Sequence, residues 1–405
     1  MQRADIMSDK THTLAQRYYD CQNTMQQTFM SSCPQKDRCG SCGWSHIPYQ
    51  KQLAQKLADI NGSLALKKLS LRCKEILPSP RIEHYRNRMD FVIDFEGRMG
   101  LREKGKWWKV IDGHPCFLAD EKIESLFHSI HAWLPTSGLT YFDRKAATGL
   151  LRYAVIRALQ TGETMVDMIT SAPVDSFEEE RTHAAFFSLA QHLSPTSFFW
   201  SINSTISDVS FGDKHELISG RPDIEEVVDH VRYQIGPHTF FQTNSHASPL
   251  LLQTVKEFAG PVKNKTVLDL YCGTGFFALA FAKDAKRTIG VELAPEAIVE
   301  AKENARINEL SAEFFDAKTE SFPWQDFHPD VVILDPPRAG MHDRALKDIL
   351  EAKPPRIVYV SCNYKNFARE MVILQNLYRM ENIRAMDMFP HTPHVELVAA
   401  LTLSD

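Results

Sequence analysis

The sequence predicts an α/β protein whose C-terminal half is a doubly wound, mainly parallel sheet, preceded by an α+β half. Three observations predict this fold class. Apolar strands and helices alternate from residue 266 onward, which is the order that builds parallel sheets. One strand ends in a glycine-rich turn at Gly273 and Gly275, which is typical of a nucleotide-binding unit. The front half instead shows alternating apolar residues between glycine-containing turns, which indicates antiparallel sheet.

The elements of the front half follow a polar extension over residues 1–30. Periodicity predicts helices at 49–57, 121–134 and 178–193. It predicts strands at 85–94, 97–101, 108–111, 148–157, 163–170 and 198–203. We assign this half to a first domain, residues 1–230.

The second domain, residues 231–405, begins after an acidic segment at 223–229. Strands are predicted at 231–235, 266–271, 288–292, 331–335, 357–361 and 397–403. Helices are predicted at 248–258, 277–283, 295–308, 342–351 and 365–377.

Length and composition agree with more than one globular domain. The chain has 405 residues, of which 43% are hydrophobic and 24% charged, so it can bury substantial cores. It contains no apolar run of the ~18 residues that a membrane span needs, and residues 1–20 are too polar for a signal peptide. We therefore expect a cytoplasmic protein with no membrane partner. Nothing in the sequence indicates an obligate protein partner.

One basic stretch stands out against the net charge of −5. Residues 66–109 contain twelve Lys or Arg and six Asp or Glu, a local charge of +6. Aromatic residues are interleaved with them: Tyr85, Phe91, Trp107 and Trp108. Such a surface would pair phosphate contacts with base stacking, as RNA binding needs. A solvated sheet face would have the same composition.

Three of the eight cysteines lie within ten residues: Cys33, Cys39 and Cys42. The intervening Pro and Gly let three thiolates converge, and Cys116 is the candidate for a fourth ligand. Thiolates select zinc or an iron–sulfur cluster, and the spacing leaves both open. Disulfides are not expected in a long chain without a secretory signal. Cys21 and Cys73 lack a partner pattern and are expected to be small buried side chains.

The ends of four predicted strands place an acidic or thiol side chain at one rim: Asp269, Glu292, Asp335 and Cys362. Ligands of doubly wound sheets bind beyond the carboxyl ends of the strands. The Gly-x-Gly turn lacks the third glycine of a dinucleotide site, a form usual for S-adenosylmethionine. Glu292 lies 23 residues after Asp269, where a carboxylate would hold ribose hydroxyls. We therefore expect a Rossmann-like domain with a nucleoside-type cofactor.

The sequence also offers a thiol and a carboxylate, because Cys362 follows one strand and Glu396 precedes another. Taken singly, Cys362 reads as structural, Glu396 as the solvated start of a strand and Asp335 as a cap. Beside a methyl donor, they would suit methylation of uracil C5. A thiolate adds at C6 and activates C5, and a base then removes the C5 proton so that elimination frees the enzyme.

Five motifs in this order resemble the RNA (uracil-C5)-methyltransferase family, which makes 5-methyluridine in tRNA and 23S rRNA. They are the cysteine group, Phe-Phe-Gln-Thr-Asn at 240–244, the glycine turn, Asp-Pro-Pro-Arg at 335–338, and Ser-Cys-Asn at 361–363 with His-x-Glu at 394–396. The resemblance covers residues 33–405. It implies an S-adenosylmethionine-dependent methyltransferase domain behind an N-terminal RNA-binding domain with an iron–sulfur cluster.

The resemblance also implies roles for single residues. Cys362 would be the nucleophile and Glu396 the base. A 4Fe–4S cluster would be held by Cys33, Cys39, Cys42 and Cys116. The cofactor would be bound by Gln242, Asp269, Tyr271, Gly273, Glu292 and Asp335.

Two departures from the family pattern concern the loop and the target. Tyr364 stands where many members have Pro after Ser-Cys-Asn, and the 32 residues before Cys33 are too few for the RNA-binding barrel of many members. The layout is similar to the shorter rRNA-modifying branch, so 23S rRNA is the expected target, with a T-loop uridine of tRNA as the alternative. An alternative of another class is a non-catalytic RNA-binding factor. An amino-group methylase is disfavoured because Arg338 occupies the position of its usual aromatic residue.

Overall fold

The computed structural model describes residues 33–404, so the predicted extension at 1–30 and Cys21 lie outside the described residues. The helices in this range are α1 (Tyr49–Leu66), α2 (Glu121–Trp133), α3 (Ser176–Leu193), α4 (Ser248–Ala259), α5 (Phe276–Phe281), α6 (Pro295–Ile307), α7 (Asp343–Ala352) and α8 (Tyr364–Leu374).

The strands in the same range are β1 (Ile76–Leu77), β2 (Arg88–Ile93), β3 (Met99–Glu103), β4 (Lys106–Asp112), β5 (Leu151–Ala158), β6 (Thr164–Thr170), β7 (Ser197–Ile202), β8 (Lys214–Gly220), β9 (Ile224–Val228), β10 (Val231–Ile235), β11 (Thr266–Leu270), β12 (Arg287–Glu292), β13 (Glu313–Asp316), β14 (Val331–Leu334), β15 (Arg356–Ser361), β16 (Tyr378–Met386) and β17 (Glu396–Leu403).

The larger sheet, within residues 33–404, has the order β1-β16-β17-β15-β14-β11-β12-β13. Strands β15, β14, β11, β12 and β13 are parallel, whereas β17 runs antiparallel to both β15 and β16. From β11 the chain proceeds outward to β13 and then returns to β14 on the other side of β11. The strand order therefore changes direction between the neighbouring strands β11 and β14. Doubly wound sheets bind ligands at such a switch point, beyond the carboxyl ends of the strands. The predicted doubly wound, mainly parallel sheet is confirmed.

Helices cover both faces of this sheet, which explains why its central strands are apolar throughout. Val331 and Ile333 of β14 pack on the side of α4, α5 and α6. Val332 and Leu334 face the other side, with α1, α7 and α8. All four side chains are fully buried.

A second sheet of the described residues has the order β4-β3-β2-β5-β6-β7-β8 and is antiparallel except for the β6–β7 pair. Helices α2 and α3 cover one face and bury Phe127 and Phe186 against it. The front half is α+β, as the sequence predicts. A hairpin of β9 and β10 follows this sheet along the chain.

Helix α1 was predicted to end at residue 57 but continues to Leu66. Gly62 and Ser63 indicate an end, yet Ile60 and Leu64 are buried against the larger sheet and keep the chain helical. Strand β1 also joins that sheet, parallel to β16. The division at residue 230 stays a prediction, but α1 and β1 pack in the sheet of the second half.

No helix between residues 33 and 404 has the length and apolar character needed to cross a bilayer.

Candidate active site

The turn after β11 opens at the switch point of the larger sheet. Tyr271 has a φ of +68°, an unusual backbone conformation for an aromatic residue. Its N–H donates to the Val291 carbonyl at 2.9 Å, which keeps the turn close to β12. Gly273 has a φ of +51°, and a Cβ there would meet no atom within 4 Å. A ligand therefore has open space above the backbone of Gly273.

Two carboxylates hold this turn in different ways. Asp269 is fully buried, and its Oδ2 accepts from the Ala278 N–H at 2.9 Å, which ties the start of α5 to β11. Burial raises the pKa of Asp269 well above its usual range. Glu292 accepts from the N–H groups of Gly273 at 3.1 Å, Leu293 at 2.7 Å and Ala294 at 3.0 Å. A carboxylate has about four acceptor positions, so partly exposed Glu292 retains one for a ligand.

Strand register brings Cys362 and Glu396 together. Ser361 pairs with Leu397 in the antiparallel β15–β17 ladder. Cys362 and Glu396 each come one position beyond this last pair, and they are close enough for the Glu396 carboxyl to raise the pKa of Cys362. Glu396 is 6% exposed, while Cys362 is partly exposed.

The rim around Cys362 combines three acidic groups with one cation. Burial, together with the nearby Glu396 and Asp335 carboxyls, raises the pKa of Cys362 to about 11, and Arg338 opposes this shift. Burial raises the pKa of Glu396 well above its usual range and that of Asp335 to about 7. Both shifts favour the neutral forms of the thiol and the Glu396 carboxyl.

The Asp-Pro-Pro-Arg loop is fastened to the Ser-Cys-Asn turn. The Arg338 carbonyl accepts from Asn363 Nδ2 at 3.0 Å and from Asn366 Nδ2 at 2.7 Å. Asn363 Oδ1 also accepts from the Lys365 N–H at 3.1 Å and caps α8. Asn363 thus binds the Arg338 backbone and the start of α8 at once, which holds Arg338 beside Cys362. From the sequence, Arg338 was predicted only to disfavour an amino-group methylase, although its place in the Asp-Pro-Pro-Arg motif puts it at the rim.

Helix α1 holds the loop that precedes Glu396. Lys56 Nζ lies 2.6 Å from Asp387 Oδ1 and donates to the Phe389 carbonyl at 3.1 Å. Gln52 lies 3.0 Å from His391 Nδ1 and accepts from the His391 N–H at 2.7 Å. Neither Lys56 nor Gln52 was identified from the sequence, because such residues on a helix usually face solvent.

His391 is fully buried in this loop, and burial lowers its pKa to about 4. The lowered pKa favours the neutral imidazole.

The segment that carries Gln242 bridges the two sheets. Asn87, just before β2, donates through Nδ2 to the Gln242 carbonyl at 2.9 Å. Asn244 donates through Nδ2 to the Met388 carbonyl at 3.0 Å. The segment is thus fixed both to the antiparallel sheet and to the loop before Glu396. The Gln242 side chain is partly buried.

Comparison with known proteins decides the family. A family model described as tRNA (Uracil-5-)-methyltransferase matches residues 205–403. The tRNA (uracil(54)-C(5))-methyltransferase of Pyrococcus horikoshii is 38% identical over 370 residues, which cover 91% of this chain and 85% of that protein. The chain belongs to the RNA (uracil-C5)-methyltransferase family. The same-named protein of Pyrococcus furiosus is also 38% identical over 370 residues, with 91% and 84% covered.

A solved structure shows the same likeness. The Pyrococcus abyssi tRNA (uracil-54, C5)-methyltransferase, in complex with S-adenosyl-L-homocysteine, superposes with a TM-score of 0.76 at 34% identity. The match covers 90% of this chain and 86% of that one. The methyltransferase fold and the enzyme class, an RNA uracil-C5 methyltransferase that uses S-adenosylmethionine, are confirmed against the non-catalytic alternative. The expected 23S rRNA branch gains no support from these relatives.

Among the described cysteines, Cys33, Cys39 and Cys116 lie near Cys42. Cys42 and Cys116 are 5% and 8% exposed. Burial raises the pKa of Cys42 to about 11, with added contributions from Cys39 and Cys33. It raises that of Cys116 to about 12, with contributions from Cys42 and Cys39. Across the described part of the chain, however, no three His, Cys, Asp or Glu side chains converge as a metal site. Cys73 is buried, as predicted.

The basic stretch divides into core and surface residues. Tyr85 and Phe91 are 2% and 0% exposed, so the expectation that they belong to an RNA-facing surface is wrong. Both lie on the covered face of the antiparallel sheet, where apolar packing decides their position. Trp107 and Trp108 are 53% and 54% exposed on β4, and the Arg144 guanidinium lies 5.2 Å from the Trp107 ring centroid.

Proposed function

We propose that this enzyme methylates C5 of a uridine in tRNA, using Cys362 as nucleophile and Glu396 as base. The observation that carries the proposal is the closeness of the two groups: Cys362 and Glu396 each come one position beyond the last β15–β17 pair, and the Glu396 carboxyl raises the pKa of Cys362. The relatives named above are tRNA enzymes that act at uracil 54. They favour tRNA over the 23S rRNA expected from the sequence. The uridine of this position in the T-loop is therefore the proposed target.

The chain's own groups account for the bonds that form and break. The Cys362 thiolate adds to C6 of the uracil, and the C5–C6 electron pair becomes an enolate with its nucleophilic carbon at C5. S-adenosylmethionine, when bound, supplies an electrophilic methyl group to that carbon. The Glu396 carboxylate then removes the C5 proton, the C5=C6 bond re-forms and the C6–S bond breaks. Cys362 leaves as a thiolate, and one proton is released per methyl transferred.

Arg338 is the group that favours the Cys362 thiolate. Two neighbouring carboxyls and burial disfavour a negative sulfur, while the guanidinium lowers the pKa of Cys362 through its charge and a hydrogen bond. The nucleophile and the base oppose each other's ionisation, because both would be negative at close range. Arg338 therefore assists the loss of a proton from the Cys362–Glu396 pair.

A uracil stacked in RNA must also be turned outward, at a cost of a few kcal/mol.

S-adenosylmethionine fits the turn after β11. The open space at Gly273 permits close approach of a ligand to the backbone, and Glu292 keeps an acceptor position for a hydroxyl. Asp269 acts through the position of α5, although its Oδ1 has no hydrogen-bond partner between residues 33 and 404. Tyr271, Asp335 and Gln242 complete the proposed cofactor site.

We also propose that Cys33, Cys39, Cys42 and Cys116 hold a 4Fe–4S cluster of structural function. The support is the presence of Cys33, Cys39 and Cys116 near Cys42, because thiols suit soft metals, although the side chains do not converge as a metal site in the described residues. The cysteine loop pairs with the β3–β4 hairpin, where the Gly40 N–H donates to the Arg102 carbonyl at 3.2 Å. A cluster there would stiffen that hairpin. Iron, acid-labile sulfide and zinc analysis of anaerobically purified protein decides between cluster and zinc, and absence of all three would refute both.

The hairpin in turn offers a surface for RNA. Trp107 and Trp108 provide exposed rings for base stacking. Basic side chains surround them in excess over Glu103 and Asp208: Arg38, Arg102, Lys104, Lys106, Lys109 and Arg144. We propose that this hairpin contacts the RNA outside the catalytic site.

The test uses tritiated S-adenosylmethionine with unmodified tRNA transcripts. We expect label in tRNA with uridine 54 and none in the same transcript with cytidine 54. Label in 23S rRNA fragments but not in tRNA would overturn the proposed target and leave the uridine chemistry standing.

A further inference from the structure

A cavity of about 350 Å³ lies between the antiparallel sheet and the segment that carries Gln242. Its lining includes Arg86, Arg88, Asp90, Arg157, Phe240 and Thr243. None of the proposed catalytic or cofactor residues lines it. The cavity therefore differs from the methyl-transfer site, although residues 240, 241 and 243 place its wall on either side of Gln242.

The cavity carries an excess of positive charge. Arg88 binds Asp90 through two hydrogen bonds of 2.8 and 3.2 Å, and the Ser210 hydroxyl donates to the same carboxylate. Asp90 is thus the partner of Arg88. No carboxylate of residues 33–404 lies within ion-pair distance of Arg86 or Arg157. Among the lining residues, three guanidinium groups face one carboxylate. The carboxyls of Asp167 and Glu300 also act on Arg157, but burial raises the pKa of each to about 7, which weakens their negative charge.

Arg157 is the least satisfied of the three. Its side chain is 3% exposed, and it donates to the Thr239 carbonyl. Its Nε, also buried, has no hydrogen-bond partner in the described part of the chain. A buried charged group without its full set of partners is costly unless a ligand completes it. Burial and the neighbouring Arg88 lower the pKa of Arg157 to about 9, and nearby Asp90, Glu300 and Asp167 oppose this shift.

The ring of Phe240 also lines this cavity. The side chain of Phe240 is 75% exposed although it lies in a segment otherwise fixed by hydrogen bonds. Arginines that bind an anion beside an exposed ring are the combination that nucleic-acid strands need, with phosphate contact and base stacking together.

We propose that this cavity binds a phosphodiester of the RNA strand next to the target uridine, through Arg88 and Arg157, with the adjoining base on Phe240. The inference rests on the proposed function, because it assumes that RNA is the substrate and assigns one RNA contact to the cavity beside Gln242. Planar guanidinium groups bind two phosphate oxygens at once, which suits a site that must position one nucleotide. Asp90 then orients Arg88 toward the phosphate.

The experiment measures binding of a fluorescent T-loop minihelix to wild type, Arg88→Gln and Arg157→Gln at several salt concentrations. We expect each variant to bind about tenfold more weakly. The slope of log affinity against log salt should fall by about 0.7 for each lost phosphate contact. Arg379→Gln is the matched control, since Arg379 is exposed on β16 and pairs with Glu381. Thermal melting checks folding, and Arg88→Gln carries the test if Arg157→Gln unfolds.

Single methylphosphonates on either side of the target uridine identify the phosphate. One of them should weaken binding to wild type but not to Arg88→Gln. Wild-type affinity and salt slope in Arg88→Gln, or equal losses from every methylphosphonate in both proteins, would overturn the inference. Uridine 5′-monophosphate and inorganic phosphate are titrated separately, and loss of their binding in Arg88→Gln with unchanged RNA binding would assign the cavity to a free nucleotide instead. The covalent adduct of Cys362 with 5-fluorouridine RNA is followed throughout, so failure of the proposed function is seen independently.

Discussion

Replacing Lys56 with Met tests whether helix α1 holds the loop before Glu396. The Lys56 ammonium lies 2.6 Å from Asp387, and neither side chain is exposed to solvent. Its removal leaves a buried carboxylate that still accepts from the Phe389 N–H at 3.0 Å and lies beside Tyr49, with no cation to balance its charge. Breaking a buried pair from one side costs about 3–5 kcal/mol. At about 2–4 °C per kcal/mol for a domain of this kind, Lys56→Met should lower Tm by about 6–20 °C.

The pH dependence of this loss has a definite sign. Burial raises the pKa of Asp387 above its unfolded value even beside Lys56. A carboxyl with a raised folded-state pKa stabilises the fold at low pH, and that contribution is lost as pH rises through the folded-state pKa. The Tm difference between Lys56→Met and wild type should therefore shrink as pH falls from about 8 to about 5.

Three further proteins complete the measurement by scanning calorimetry. The double variant Lys56→Met/Asp387→Leu should regain most of the lost stability, because apolar replacement of a buried pair is often neutral or better. Asp387→Leu alone leaves a buried ammonium and should resemble Lys56→Met. Arg287→Met removes an exposed pair of the same 2.6 Å length, with Glu313, and should cost at most about 1 kcal/mol. A Tm loss in Lys56→Met no larger than in this control would refute the reasoning.

Three other predictions concern the reaction and the RNA. Cys362→Ala should lower turnover by at least about 10³-fold, with S-adenosylmethionine affinity by calorimetry unchanged. Glu396→Gln should accumulate a methylated covalent RNA adduct on denaturing gels, because elimination is slowed about 10²–10⁴-fold. In the same variant, the pKa of Cys362, measured from alkylation rates, should fall below about 11, because the Glu396 charge that raises it is removed. Trp107→Ala should weaken tRNA binding by about 1–3 kcal/mol, with Phe187→Ala, 48% exposed on α3, as control.

Each has an outcome that contradicts it. Full turnover in Cys362→Ala would exclude the thiol adduct. Normal product release by Glu396→Gln, or a higher thiol pKa in that variant, would remove Glu396 from the role of base. Equal affinities for Trp107→Ala and Phe187→Ala would move the RNA surface away from the β3–β4 hairpin.

The sequence predicted those parts of the larger sheet whose signal is local. Strands β11, β14 and β15 are short apolar runs that end at a polar residue, so length and burial agree without knowledge of their neighbours. Strand β16 was missed because Arg379, Glu381 and Arg384 interrupt its apolar residues. Glu381 and Arg384 have ion-pair partners on other elements, Arg356 and Glu257. Strand β1 has only two residues and exists through its pairing with β16.

In the candidate site, too, residues in local motifs could be predicted, whereas contacts between distant segments could not. Motif spacing identified Cys362 and Glu396, but their proximity depends on the β15–β17 register, which no local pattern contains. Lys56 lies 331 residues from Asp387 along the chain, and only the fold converts a helix lysine into a buried partner. The unsatisfied Arg157 likewise lies in a strand whose sequence gives no sign of a charged cavity.

The most direct test of the central claim is to mix the enzyme and S-adenosylmethionine with tRNA that contains 5-fluorouridine. Fluorine at C5 cannot leave as a proton, so Glu396 has nothing to remove and the C6–S bond to Cys362 persists. A protein–tRNA band that survives a denaturing gel, maps to the Cys362 peptide and disappears in Cys362→Ala is the predicted result. No stable band from wild type, or an equal band from Cys362→Ala, would contradict it.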